Sequence, residues 1–179
     1  MPWDAEAPQQ LLLDWTRERG LRGEGRSAVV VGCGLGRDAE LIGSLGFHTI
    51  AFDVSVTAIR GAQRRHPESP VHYVVADLLE LPAGWPGAFD LVVESITVQS
   101  LPRWLREQAT AAVASLVAPG GTLIVVSSAL GEHEDPDAGP PWPLTQPEIE
   151  AFSTDELRPV RIEQIGDRWR AELQREEMR

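Results

Sequence analysis

A chain of 179 residues is long enough for one domain with a sizeable core, and its net charge of −11 argues against a nucleic-acid substrate. Its basic residues are scattered arginines, and no apolar run nears the roughly 20 residues a membrane span needs. The lone cysteine cannot form an internal disulfide, no Cys/His cluster has metal spacing, and the N-terminus lacks a secretory pattern, so a soluble cytoplasmic protein without structural metal is expected.

The predicted elements run as follows. Residues 8–20 form a helix with Leu11, Leu12 and Trp15 on one face and Gly20 at its end. Residues 28–31 are a short buried strand that runs into glycines at 32, 34 and 36. An amphipathic helix follows, carrying Leu35, Ala39, Leu41, Ile42 and Leu45. A second strand, 49–52, ends on Asp53. Ser55 caps a helix to Arg65, and a third strand, 71–76, ends on Asp77. A turn-rich loop at 82–88 precedes a strand at 89–93 that ends on Glu94. A helix over 102–117, a sharp turn at 118–121 and a β-branched strand over 122–127 come next. The Pro-, Gly- and acid-rich stretch 129–147 reads as a loop over the site. A short helix at 147–152 leads to strands 160–165 and 169–173, joined at Gly166-Asp167 as an antiparallel hairpin. Strands alternating with helices predict a doubly wound, mostly parallel sheet of seven strands in a single domain.

Strand, glycine turn, helix, strand and acid is the first half of a nucleotide-binding unit. The spacing here is G-x-G-x-G, with Arg37 where a dinucleotide fingerprint would place its third glycine, and Asp53 lies 21 residues beyond Gly32. A carboxylate at that strand tip can accept both ribose hydroxyls. This pattern resembles motif I and its following acid in the class I S-adenosylmethionine-dependent methyltransferases. A leading P-W-D and the run G-C-G-L-G-R-D at 32–38 resemble, more narrowly, the thiopurine, thiol and tellurite methyltransferase group.

The resemblance implies a Rossmann-like fold with S-adenosyl-L-methionine as cofactor. It implies that Gly32, Cys33, Gly34 and Gly36 bring the backbone to the ligand, with Asp53 and neighbouring Val54 at the ribose. Asp77 and Leu78 then serve the adenine, while Asp38 either supports its helix or reaches the amino group. Trp3, in an N-terminal segment spanning residues 1–25, would close over the cofactor. Glu94, in F-D-L-V-V-E-S-I-T-V-Q-S-L-P, resembles motif IV and faces the methionine end. Gln99, Leu101 and Trp142 are the expected grip on the acceptor, with 129–147 as a lid.

No N-P-P-Y or Pro-Cys pair for base methylation is present, so a small-molecule acceptor bearing a thiol, hydroxyl or similar nucleophile is expected. His133, Glu94 and Glu134 are the candidate bases, required only where the acceptor holds its proton. Two rival readings are a cofactor-binding protein without catalysis and a nicotinamide-linked oxidoreductase. The second is disfavoured because Tyr73 is the only tyrosine and there is no lysine to pair with it. Oligomeric state is not legible.

Overall fold

The computed structural model describes residues 7–178. Seven strands form one sheet: β1 (Ser27–Val31), β2 (His48–Asp53), β3 (His72–Val75), β4 (Phe89–Ser95), β5 (Val117–Ser128), β6 (Leu157–Ile165) and β7 (Arg168–Arg175). Their order across the sheet is β3-β2-β1-β4-β5-β7-β6. The first five run parallel, and β7 is antiparallel to both β5 and β6. This is the expected doubly wound sheet with its terminal hairpin.

The centre of the sheet is dry on both faces because β1, β2, β4 and β5 each carry a short apolar run, the pattern a doubly covered parallel strand requires, whereas the edge strand β6 is largely exposed. One face packs Val30, Ala51, Leu91 and Ile124 against helices α1 (Gln10–Glu18), α2 (Arg37–Ser44) and α3 (Val56–Arg65). The other packs Val29, Phe52, Val92 and Leu123 against α4 (Arg106–Ser115), α5 (Gln146–Glu150) and the loop after β3. No helix fills that β3–β4 connection. Trp85 does so instead, edge-on to Phe52 at 5.1 Å and to Phe89 at 5.8 Å.

Three departures from the expected element boundaries bear on the sheet around the site. The 102–117 segment is a 3₁₀ turn at Arg103–Leu105 followed by α4, because Val117 leaves the helix to pair with Phe89. The expected sharp turn at 118–121 is instead a bulge inside β5: Phe89 faces Val117, yet Leu91 faces Thr122. Gly121 permits it, since a Cβ there would sit 2.8 Å from the Ala118 carbonyl oxygen. Glu94 does not end its strand; Ser95 follows it within β4, and the carboxyl lies inside the sheet.

Candidate functional site

The carboxyl ends of β1, β2 and β4 are adjacent in the sheet, so the glycine turn, Asp53 and the loop after β4 meet at one rim. The three glycines do different work there. All have positive φ, at 58°, 53° and 91° for Gly32, Gly34 and Gly36. A Cβ on Gly32 would fall 2.3 Å from Thr97 Oγ1, and one on Gly36 would fall 2.3 Å from the Tyr73 hydroxyl. Those two are glycine because protein packs on them. Gly34 alone meets nothing within 4 Å, leaving an open stretch of backbone. Cys33 is buried between them, and burial, with the Asp53 charge, pushes its thiol up to about 12, which makes it an inert small residue.

Asp53 stands at the end of β2, half-buried, and braces that open backbone. The Gly34 N–H donates to Oδ2 at 3.0 Å, and the Ser55 N–H donates to Oδ1 at 2.9 Å. A carboxylate has about four acceptor sites, so capacity for further donors remains. Val54 beside it is 69% exposed, an apolar surface next to the carboxylate. Ser55 caps α3 as expected, accepting from the Ala58 N–H at 3.1 Å.

Asp77 is exposed and forms a local turn, accepting from the Leu79 N–H at 2.8 Å. Leu78 turns inward and is buried in the α4-side core. Asp38 is buried in the first turn of α2 and accepts from the Gln9 N–H at 2.8 Å, tying the segment before α1 to the glycine helix. The described residues begin after Trp3, which therefore lies outside them.

The loop after β4 is locked from both sides. Glu94, 0% exposed, accepts at Oε1 from the Thr97 N–H at 2.6 Å and the Val98 N–H at 3.2 Å. Its Oε2 is buried without a hydrogen-bond partner among the described residues, and burial pushes its carboxyl up to about 7. Between them Ile96 adopts φ +63°, a strained conformation for a β-branched residue. Gln99 is fully buried and spans to β5: the Ser128 N–H donates to its Oε1 at 2.6 Å, and its Nε2 donates to Ser128 Oγ at 3.2 Å. Its side chain therefore braces the rim, contrary to its expected place on an acceptor. Leu101 is half-buried against the same core.

The 129–147 loop is pinned at its base and open at its tip. The Leu130 N–H donates to the Leu144 carbonyl and the Leu144 N–H donates to the Ser128 carbonyl, both at 2.9 Å, and the Trp169 indole N–H donates to the Leu144 carbonyl at 2.9 Å. Buried Arg106 donates to the Trp142 carbonyl at 2.8 Å and to Glu148 at 2.7 Å. Arg103 donates to the Pro136 carbonyl. The Trp142 ring lies against Gly139, where a Cβ would meet it at 2.6 Å, and its indole N–H reaches the Asp137 carbonyl at 3.3 Å. Glu134 accepts from the Gly131 N–H within the loop, and His133 is exposed.

The residues that sequence reasoning missed are Thr97, Ser128 and Arg106. Each acts through a contact distant in the chain, Thr97 by donating from Oγ1 to the Val31 carbonyl at 3.0 Å. None of the three carries a local signal: Arg106 opens α4 beside Glu107 and Gln108, as a solvated arginine would.

Electrostatics distinguish which nucleotide this rim suits. The N-terminus of α2 points at the turn but carries Asp38 and Glu40 in its first turn. Those acids, one 3.8 Å from the Arg37 guanidinium and the other accepting from the Tyr73 hydroxyl, compete with any anion for the helix's positive end. An open glycine backbone beside a carboxylate with spare acceptor capacity fits an adenosine carrying a positive sulfur.

Comparison with known proteins agrees. Residues 28–121 match the family model described as a methyltransferase domain. A ubiquinone biosynthesis O-methyltransferase of Xanthomonas campestris is 33% identical over 132 residues, covering 69% of this chain. The chain spans 54% of that relative's length. A SAM-dependent methyltransferase structure from Methanosarcina mazei superposes with a TM-score of 0.75 at 16% identity, covering 96% of this chain and all of the other. TehB from Haemophilus influenzae gives a TM-score of 0.75 at 11% identity, covering 97% of this chain and 64% of that one.

Proposed function

This chain belongs to the methyltransferase-domain family of S-adenosylmethionine-dependent proteins, and on that premise we propose that it transfers a methyl group to a nucleophilic atom of a small molecule. The observation that carries the reading is the open Gly34 backbone held against Asp53. The O-methyltransferase relative supports a hydroxyl acceptor ahead of a thiol.

The chemistry S-adenosyl-L-methionine supplies when bound is an electrophilic methyl group on a good leaving group. What remains for the protein is to hold, align and keep dry. The Gly34 backbone and Asp53 are assigned to the nucleoside, with Val54 as apolar floor and Asp77 at the base. Asp38 and the segment before α1 close the glycine side. Leu78 and Glu94, both buried, support this surface from beneath it. Leu101 and Trp142 shape the acceptor side, with 129–147 as its wall and Gln99 holding that wall to the sheet. Alignment of reactants and exclusion of water can supply most of the acceleration of such a transfer. The net charge of −11 supports an uncharged or cationic acceptor over a nucleic acid.

The test has two stages. S-adenosylhomocysteine should raise the melting temperature and NAD should not, since a ligand bound only to the folded state stabilises by mass action. Incubation with labelled cofactor and a panel of phenols, alcohols, thiols and carboxylates should then yield a methylated product. Binding without product from any member would favour the non-catalytic rival. A shift with NAD alone would overturn the reading.

A further inference from the structure

Glu94 sits where a cofactor contact was expected, yet its geometry gives it different work. Its side chain is 0% exposed, so it has no surface to offer a ligand. It pairs in register with Val31, the last residue of β1 before the glycine turn. From there its Oε1 gathers the N–H groups of Thr97 and Val98 and folds the chain back over β1. The fold-back delivers the Thr97 hydroxyl to the Val31 carbonyl at 3.0 Å, against the face of Gly32. Ile96 takes φ +63° within this four-residue return, a conformation that persists only where surrounding contacts enforce it. The same loop continues to Gln99, whose carbonyl accepts from the Trp142 N–H at 2.8 Å and whose amide is bound to Ser128. One short segment thus touches the glycine turn at one end and the 129–147 loop at the other.

We propose that Glu94 is a positioning residue of the cofactor site: acting through Thr97, its carboxylate holds the loop after β4 against the glycine turn and so sets the affinity for cofactor. The inference rests on the methyltransferase reading above and replaces direct contact by Glu94 with support from beneath. The open face at Gly34 depends on where Gly32 is held, and Gly32 is held by Thr97.

The experiment measures S-adenosylhomocysteine affinity by calorimetry well below each protein's melting temperature, with amide hydrogen exchange over residues 32–38 as a second readout. Glu94→Ala loses the oxygen that accepts both N–H groups, and affinity should fall by about tenfold with faster exchange in the turn. Glu94→Gln keeps an acceptor oxygen and should recover to within about threefold of the parent. Thr97→Val removes the hydroxyl at nearly constant shape and should weaken binding by about threefold to tenfold. Because the two act in series, the double variant Glu94→Ala/Thr97→Val should bind no more weakly than Glu94→Ala. A merely structural glutamate would lower the melting temperature while leaving affinity and turn exchange unchanged, and that result overturns the proposal. Losses that multiply in the double variant overturn it too. Should Glu94→Ala not fold, unchanged affinity in Thr97→Val decides against it. If the parent protein binds no S-adenosylhomocysteine, the function reading falls as well; if the parent binds and the variants match it, only this inference falls.

Discussion

The turn after β1 and the loop after β4 use one device to opposite ends. Each is held by a carboxylate that accepts two backbone N–H groups: Asp53 from Gly34 and Ser55, Glu94 from Thr97 and Val98. Asp53 terminates its strand and stays partly open to solvent, whereas Glu94 lies inside its strand and is wholly covered. The first turn bends on glycines, which take positive φ at little cost. The second bends at Ile96, where the same conformation is strained. Solvent access, more than residue type, separates a carboxylate available to a ligand from one that shapes the backbone.

The sharpest break in this comparison is between two glycines of one motif. Gly32→Ala drives a Cβ into Thr97 and should destabilise the fold by about 3 kcal/mol or more, read as a lower urea midpoint. Gly34→Ala meets open space and should cost only about 1–2 kcal/mol of backbone strain. It should nonetheless weaken S-adenosylhomocysteine binding, because the new methyl group stands on the proposed contact face. Equal urea midpoints for the two variants would erase the distinction.

A pH titration tests the burial of Glu94 next. The Glu94 carboxyl is raised by burial to about 7 from an ordinary 4.5, so the folded state holds this proton more tightly than the unfolded chain. Its contribution to stability is full below pH 4.5 and is lost as pH rises toward 7. The total loss is about 3 kcal/mol. Glu94→Gln cannot titrate, so its stability relative to the parent should climb across that window and level off above it. Parallel stability curves for parent and variant would show that Glu94 does not carry this shift.

Asp53→Ala comes third. Losing the proposed ribose acceptor should lower cofactor affinity by roughly one to two orders of magnitude. Asp53 also holds the Gly34 and Ser55 N–H groups, so stability should fall as well, by about 1–3 kcal/mol. Calorimetry showing unaltered affinity would remove Asp53 from the nucleoside site.

The smallest expected effect concerns the proposed wall of the acceptor side. Trp142→Ala removes a half-buried ring whose backbone remains tied to Gln99 and Arg106. Melting temperature and S-adenosylhomocysteine affinity should therefore change little, within about 1 kcal/mol, while methylation of an accepted substrate slows. Normal turnover would make the 129–147 loop mere surface.

The first half of the molecule was largely legible. Short apolar runs, glycine punctuation and the acid after β2 all report local requirements: a dry strand, a positive φ, a strand-end carboxylate. The G-x-G-x-G run announced a close approach of backbone to something, and its neighbours along the chain supplied the frame. What local pattern could not say was which glycine faces protein and which is left open. That depends on Thr97 and Tyr73, residues 65 and 37 positions away from the glycines they cover. The 118–121 turn was misread for the same reason, since P-G-G marks a bend but only pairing with β4 makes it a bulge within one strand.

The sequence by itself determined the alternating strands and helices and the parallel sheet with its terminal hairpin, because hydrophobic period and turn chemistry act over a few residues, and its glycine motif with Asp53 carried the resemblance to the family. Tertiary structure alone decided the burial of Glu94, the withdrawal of Gln99 and Leu78 from the open rim, and the pinning of 129–147 through Arg106 and Trp169. Each of those outcomes follows from which strand end lies beside which. A carboxyl or amide becomes a brace or a contact according to the partners and the water that the assembled sheet leaves around it.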